Sequence, residues 1–209
     1  MSAPPAKTSV TVTGVLLTIA VTVGLVWAVQ QLLDPGIGNP APTAAQKRQH
    51  EITAFENLRT IAAAQATYHQ QDYDRDGVAE FAMFYVHLYI SISPDSQPIA
   101  VDLIPKPLAF AMGISRALDG YYFKDMRQQE TASGERQPFD YTRQWAVAAI
   151  PASKGRTGEL TLLAHYNGAI YVTPKTHTEL FVPRDPERDG WARIDTLAQL
   201  RKFQRYVNY

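Results

Sequence analysis

The sequence predicts an α+β domain carried behind an N-terminal transmembrane helix, with one long amphipathic helix laid on an antiparallel β-meander. Three observations point there. An apolar run from Val10 to Leu33 has neither charge nor proline. A capped, helix-periodic stretch follows from Thr43 to about Gln70, and short β-rich runs separated by Gly and Asn turns fill the remainder.

The apolar run sits behind a short N-terminus (residues 1–9) that contains Lys7. At ~1.5 Å per residue a helix over 10–33 covers roughly 36 Å, enough to cross a ~30 Å hydrocarbon core with some tilt. A cleaved signal peptide would have a shorter apolar core and a small-residue cleavage site, which Trp27–Gln31 does not offer. The run is therefore read as an uncleaved anchor in the inner (cytoplasmic) membrane. The single cation before it favours a cytoplasmic N-terminus and an extracytoplasmic, periplasmic domain. It holds no ionisable group for a pigment or proton relay, so it anchors or packs. Gly14 and Gly24 suit a close helix–helix contact or are ordinary membrane composition.

Residues 34–42 contain three prolines and two glycines and read as a linker. Thr43-Ala-Ala-Gln46 has the form of a capping box. In the helix it opens, Ile52, Phe55, Leu58, Ala62 and Ala66 recur at three- and four-residue steps and predict the buried face. Phe84–Ile92 is either a strand or a second helix, since periodicity does not separate the two. Four prolines between residues 93 and 107 make an irregular crossing, with a short helix expected near Leu108–Ala117. Gly120–Met126, Trp145–Ile150 and Leu160–Tyr166 read as strands. Tyr166–Val172 reads as a hairpin turned at Asn167-Gly168, a pair suited to a type I′ turn. The domain is expected over 43–182, and a turn plus amphipathic helix over 183–209. That last helix, from about Asp195, either folds back or meets a partner or a membrane surface.

Composition excludes several function classes. The 209 residues carry 20 basic and 20 acidic side chains, so no net field recruits nucleic acid. The chain has no cysteine, which removes disulfides, thiolate-bound zinc, iron–sulfur clusters and thiol catalysis. The histidines show no metal-ligand spacing, no serine sits in a G-x-S-x-G turn, and Lys154–Gly158 reads as a hairpin loop. No catalytic residue and no small-molecule substrate are expected.

One loop does carry chemistry. Asp72, Asp74 and Asp76 alternate before Gly77, with the Val78 carbonyl and Glu80 following, as an oxygen cage for calcium requires. Position twelve of an EF-hand would be Met83, so a complete EF-hand is absent, and Arg75 places a cation inside the loop. An Asp/Gly turn with solvated carboxylates is the plain alternative. His69 is close enough in sequence to supplement such a site, or simply ends its helix.

Asn57-Leu-Arg-Thr-Ile-Ala-Ala-Ala-Gln-Ala-Thr-Tyr68, then Asp72–Phe81, Gly120–Phe123 and the strands of 145–172 resemble type IV pilin-like and type II secretion pseudopilin-like proteins, over roughly residues 45–175. The resemblance implies a pilin-like head, a helix on an antiparallel sheet outside the membrane, with calcium in a loop in some members. The prepilin peptidase signature and the glutamate that follows it are absent, and Pro35, Pro40 and Pro42 break the stem. The expectation is a non-catalytic, single-pass structural or accessory subunit whose head docks on other membrane or envelope protein subunits. A filament-forming pseudopilin subunit and an anchored enzyme are the alternatives.

Overall fold

Helix α1 (Ala44–His69) starts where its cap allows. In the computed structural model, which describes residues 42–176 and 181–209, the Thr43 hydroxyl accepts from the Gln46 amide at 3.2 Å. Gln46 Oε1 in turn accepts from the Thr43 amide at 2.8 Å, completing the box. The face that α1 buries is not the apolar stripe expected. Phe55, Leu58, Ile61 and Tyr68 are buried, but so are Glu51 and Gln65, while Ala66 is exposed. The polar pair is tolerated because each finds backbone partners. Gln65 donates from Nε2 to the Ala82 carbonyl at 3.0 Å and accepts from the Ala82 amide at 2.9 Å, so it mimics a strand neighbour.

Beyond α1 the chain forms a 3-10 turn (Tyr85–Leu88) and a hairpin of β1 (Ile90–Ile92) with β2 (Pro98–Ala100). The ambiguous segment 84–92 thus splits between the two readings. A single turn of helix, α2 (Lys106–Ala109), and a 3-10 turn (Ile114–Arg116) stand where one short helix was expected. Gly113, at φ +94°, separates them.

The main sheet holds β3 (Tyr121–Asp125), β6 (Ala146–Pro151), β7 (Thr161–His165), β8 (Ile170–Thr173) and β10 (Ala192–Ile194), all antiparallel, in the order β10-β8-β7-β6-β3. Between β3 and β6 the chain leaves to make β4 (Gln128–Glu130) and β5 (Arg136–Pro138). With β9 (Phe181–Val182), parallel to β4, these form a separate three-stranded sheet. Helix α3 (Leu197–Gln204) closes the fold, capped by Thr196 and Gln199 as α1 is by Thr43 and Gln46.

Every residue of β6, β7 and β8 is buried. Side chains alternate across a strand, so this sheet has cover on both faces. Val147, Ala149, Leu162, Ala164 and Val172 belong to the core under α1. Ala148, Ile150, Leu163 and Tyr171 face a second core with Met126, Phe139, Val182 and Trp191. Full burial of one leucine of this kind stabilises by about 1.5–3 kcal/mol.

The fold class predicted from the sequence is therefore corrected. Among the described residues no helix is long and apolar enough to cross a membrane. The span assigned to Val10–Leu33 lies outside the described residues, as does nearly all of the linker. The β-structure is three sheets instead of one meander under one helix, because the polar excursion 127–144 and β9 pair with each other.

The turn chemistry shifts as well. Asp119 (φ +47°) and Gly120 (φ +79°) both take positive φ between the paired residues Leu118 and Tyr121, the signature of a type I′ turn. At the β7–β8 hairpin only Gly168 does, at φ +79°. That hairpin has a three-residue connection closed by the His165 amide to the Ala169 carbonyl at 3.0 Å, and Asn167 Oδ1 accepts from the Ala169 amide at 3.0 Å.

Candidate functional site

The end of α1 builds the acidic loop. After His69 the helix frays through Gln71 N to Tyr68 O at 3.1 Å, and Tyr73 folds back to stack on Tyr68 with centroids 5.3 Å apart. Asp72 then caps the turn. Its two carboxylate oxygens accept from the amides of Asp76 and Gly77, each at 3.0 Å. Asp76 Oδ1 accepts from the Val78 amide at 2.7 Å. Arg75 (φ +63°) and Gly77 (φ +85°) supply the left-handed conformations the turn requires.

The result converges three carboxylates. Ligand oxygens of Asp72, Asp74 and Asp76 lie within 4.8 Å of one another. Asp74 Oδ1 is buried and has no hydrogen-bond partner. Burial, then the neighbouring Asp76 and Asp72, push the Asp74 carboxyl above its ordinary range. Glu80 is not part of that group. Its carboxyl is also raised, by burial first and then by the charges of Asp76, Asp74 and Asp140. Val78 is placed by its amide, which is turned onto Asp76. Arg75 is exposed and lines a hollow of about 690 Å3 with Ser93, Asp95 and Gln97 of the β1–β2 turn.

His69 is otherwise engaged. Its Nε2 is 3.0 Å from the Thr142 carbonyl and its ring packs on Phe81 with centroids 4.2 Å apart. Phe81 continues to Trp145, and the two line a shallow groove of about 250 Å3 with Ala62, His69 and Tyr166. His50 is held by the Thr157 carbonyl at 2.9 Å. His165 is buried with both ring nitrogens unpartnered, and burial lowers its pKa. His177 lies outside the described residues. Among the described residues, the three aspartates are the one group of three or more side chains with metal-ligand spacing.

A second polar cluster escaped the sequence reading. Glu51 is fully buried beneath the β6–β7 loop. It accepts from the amides of Glu159 and Leu160 at 2.9 and 3.2 Å, from Gln204 Nε2 at 2.6 Å and from the Tyr209 hydroxyl. Lys47 pairs with Glu159 at 3.0 Å beside it. Burial raises the Glu51 pKa against these hydrogen bonds. The cluster joins α1, the 153–160 loop and the C-terminal segment, residues over 100 positions apart. It consumes its own donors and acceptors, which marks it as structural.

No protein-family model, curated protein or solved structure matches this chain, so nothing in the comparisons identifies a pilin-like or pseudopilin family.

Proposed function

We propose that this chain is a non-catalytic accessory subunit, tethered to a membrane through Val10–Leu33, whose domain docks on other proteins of a larger membrane or envelope assembly. The uncharged, proline-free composition of that run carries the reading. The surface supports it. Large hydrophobic side chains exposed in the domain are Val78, Met83, Ile90, Ile92, Met112, Ile114 and Tyr206, and all but the last fall between residues 78 and 114. Ile90 and Ile92 stand on one face of β1, at 37 and 57 % exposure. An exposed apolar pair on one strand face, as Ile90 and Ile92 form, marks a contact surface more often than a single scattered residue does. A photo-cross-linking residue at Ile92 should capture a membrane or envelope protein in intact cells, and Ile92→Asp with Ile114→Asp should abolish its co-purification in mild detergent. A chain that purifies alone, with no cross-link from position 92, overturns the reading.

The Asp72, Asp74, Asp76 cluster is proposed as a calcium site completed by solvent, with Glu80, which lies outside the group, adding its charge at longer range. Mutual repulsion of carboxylates this close is relieved by a divalent cation. Binding to the native state at a hundredfold excess over Kd stabilises by ~2.7 kcal/mol, a rise of roughly 5–10 °C in Tm for a domain of this size. Asp74→Ala should abolish the rise. An unchanged Tm at millimolar calcium removes the site.

A further inference from the structure

Helix α3 lies across the start of α1. Gln204 Nε2 donates to the Arg48 carbonyl at 3.1 Å, and the Arg48 guanidinium sits 4.8 Å from the centroid of the Tyr209 ring. Leu200 and Gln204 are buried in this contact, so the opposite side of α3 faces outward. That side is basic. Arg201, Lys202 and Arg205 are exposed, as is Arg48 next to them on α1. Among the described residues none of the three on α3 makes an ion pair. The segments Ala44–His50 and Thr196–Asn208 contain no carboxylate side chain at all.

An apolar component accompanies the charge. Lys202 and Tyr206 stand one turn apart and line a shallow hollow of about 220 Å3 with Ile194 and Phe203. Tyr206 is 78 % exposed, the most open of the large hydrophobic side chains among the described residues. Arg193 lines the same hollow and is paired with Asp195 at 2.9 Å, so the acid nearest the patch is already neutralised. Cations on flexible stems beside an amphipathic aromatic ring suit the boundary between phosphate headgroups and acyl chains. The patch also sits where the polypeptide enters the domain. Pro42 is nine residues from Leu33, and at ~3.6 Å per residue that connection spans at most about 32 Å.

We propose that the α3 face formed by Arg201, Lys202, Arg205 and Tyr206, with Arg48 of α1, docks on anionic lipid headgroups of the bilayer that holds the chain. The proposal rests on the membrane tether assigned above. It gives the C-terminal helix a task the internal packing does not require.

The absence of cysteine makes the test direct, because Asn208→Cys takes a single environment-sensitive dye. The full chain is reconstituted in nanodiscs of phosphatidylcholine, with or without roughly one-third phosphatidylglycerol. Dye emission is expected to rise and shift blue only in the anionic discs, and about 0.5 M salt should reverse it. Each basic residue near such a surface contributes roughly fivefold, so Arg201→Gln, Lys202→Gln and Arg205→Gln together should cut the docked-to-free ratio on the order of a hundredfold. Equal emission in both lipids, or indifference to the triple variant, overturns the docking while leaving the tether intact. A response in native membranes but not in anionic discs assigns the patch to an acidic protein and also overturns it. A chain that never enters discs removes the tether and, with it, the reach this proposal uses.

Discussion

Asp125 shows how much a single side chain can set. It accepts from the Tyr85 amide at 2.8 Å, and burial pushes its pKa up to about 7 despite the nearby Arg127. Unfolded, it would titrate near 3.9. Between those values the native state holds the extra proton, so this residue lowers stability as pH rises from about 4 to 7. Asn at this position keeps the acceptor and cannot ionise. Asp125→Asn is expected to gain about 2–4 kcal/mol relative to wild type at pH 8 and almost nothing at pH 4, read from denaturant melts at both. His165 and His87 act oppositely, since burial lowers both and stability is lost as pH falls below about 6.5. The difference between wild type and variant cancels them.

Gly158 is constrained by contact, not by φ. A methyl group there would lie 2.8 Å from Cε2 and Cζ of Tyr121 and closer still to its hydroxyl, which is fixed on the Leu160 carbonyl at 2.8 Å. Gly158→Ala should therefore cost about 1–3 kcal/mol in a thermal melt, and Tyr121→Leu should relieve part of that cost in the double variant. None of this was legible in the sequence. The partners of Asp125, Gly158, Glu51 and Gln65 lie 17 to 158 positions away, and periodicity reports only local spacing. The acidic loop was legible because its residues are neighbours in the chain. Its three aspartates do converge, while Glu80 does not join them.

At the scale of elements, what was readable depended on local chemistry. The Thr43 box predicts the start of α1 correctly because cap and partner are three residues apart. Thr43→Ala should cost ~1 kcal/mol, measured by urea titration, while Ala44→Ser, outside the cap, should be near neutral. The strands β3, β6, β7 and β8 fall within a residue or two of their expected starts or ends, apart from the longer β7–β8 connection. Their layering was missed, although a signal existed. Ala146–Ile150 and Leu160–Ala164 are nearly continuous in apolar character, where a sheet with one wet face would alternate. The excursion of β4 and β5 gave no such cue, since Gln128–Glu130 and Arg136–Pro138 are polar and half-buried or exposed.

For the whole molecule, the proposed tether and the domain make separable predictions. Alkaline carbonate should leave the full chain in the membrane pellet, and release of the intact protein would sink the accessory-subunit reading. Residues 42–209 contain both hydrophobic cores and all described elements. Limited proteolysis should accordingly cut in the Pro/Gly-rich segment 34–42 and leave a resistant fragment beginning near Thr43. The length, neutral charge and missing cysteine of the chain narrow its class without naming a partner. A partner is chosen by surface shape, and the exposed isoleucines of β1 become a surface only once the hairpin has formed.

The double cover of β6, β7 and β8 has a practical corollary. Their amides cannot meet solvent by fraying or by local opening of one layer, since each strand has paired neighbours at its sides and side chains packed above and below. Deuterium should enter Val147–Ala149 and Leu162–Ala164 only when the entire domain opens. The exchange rates of those few amides would thus serve as a gauge of global unfolding in the intact chain, without any need for denaturant.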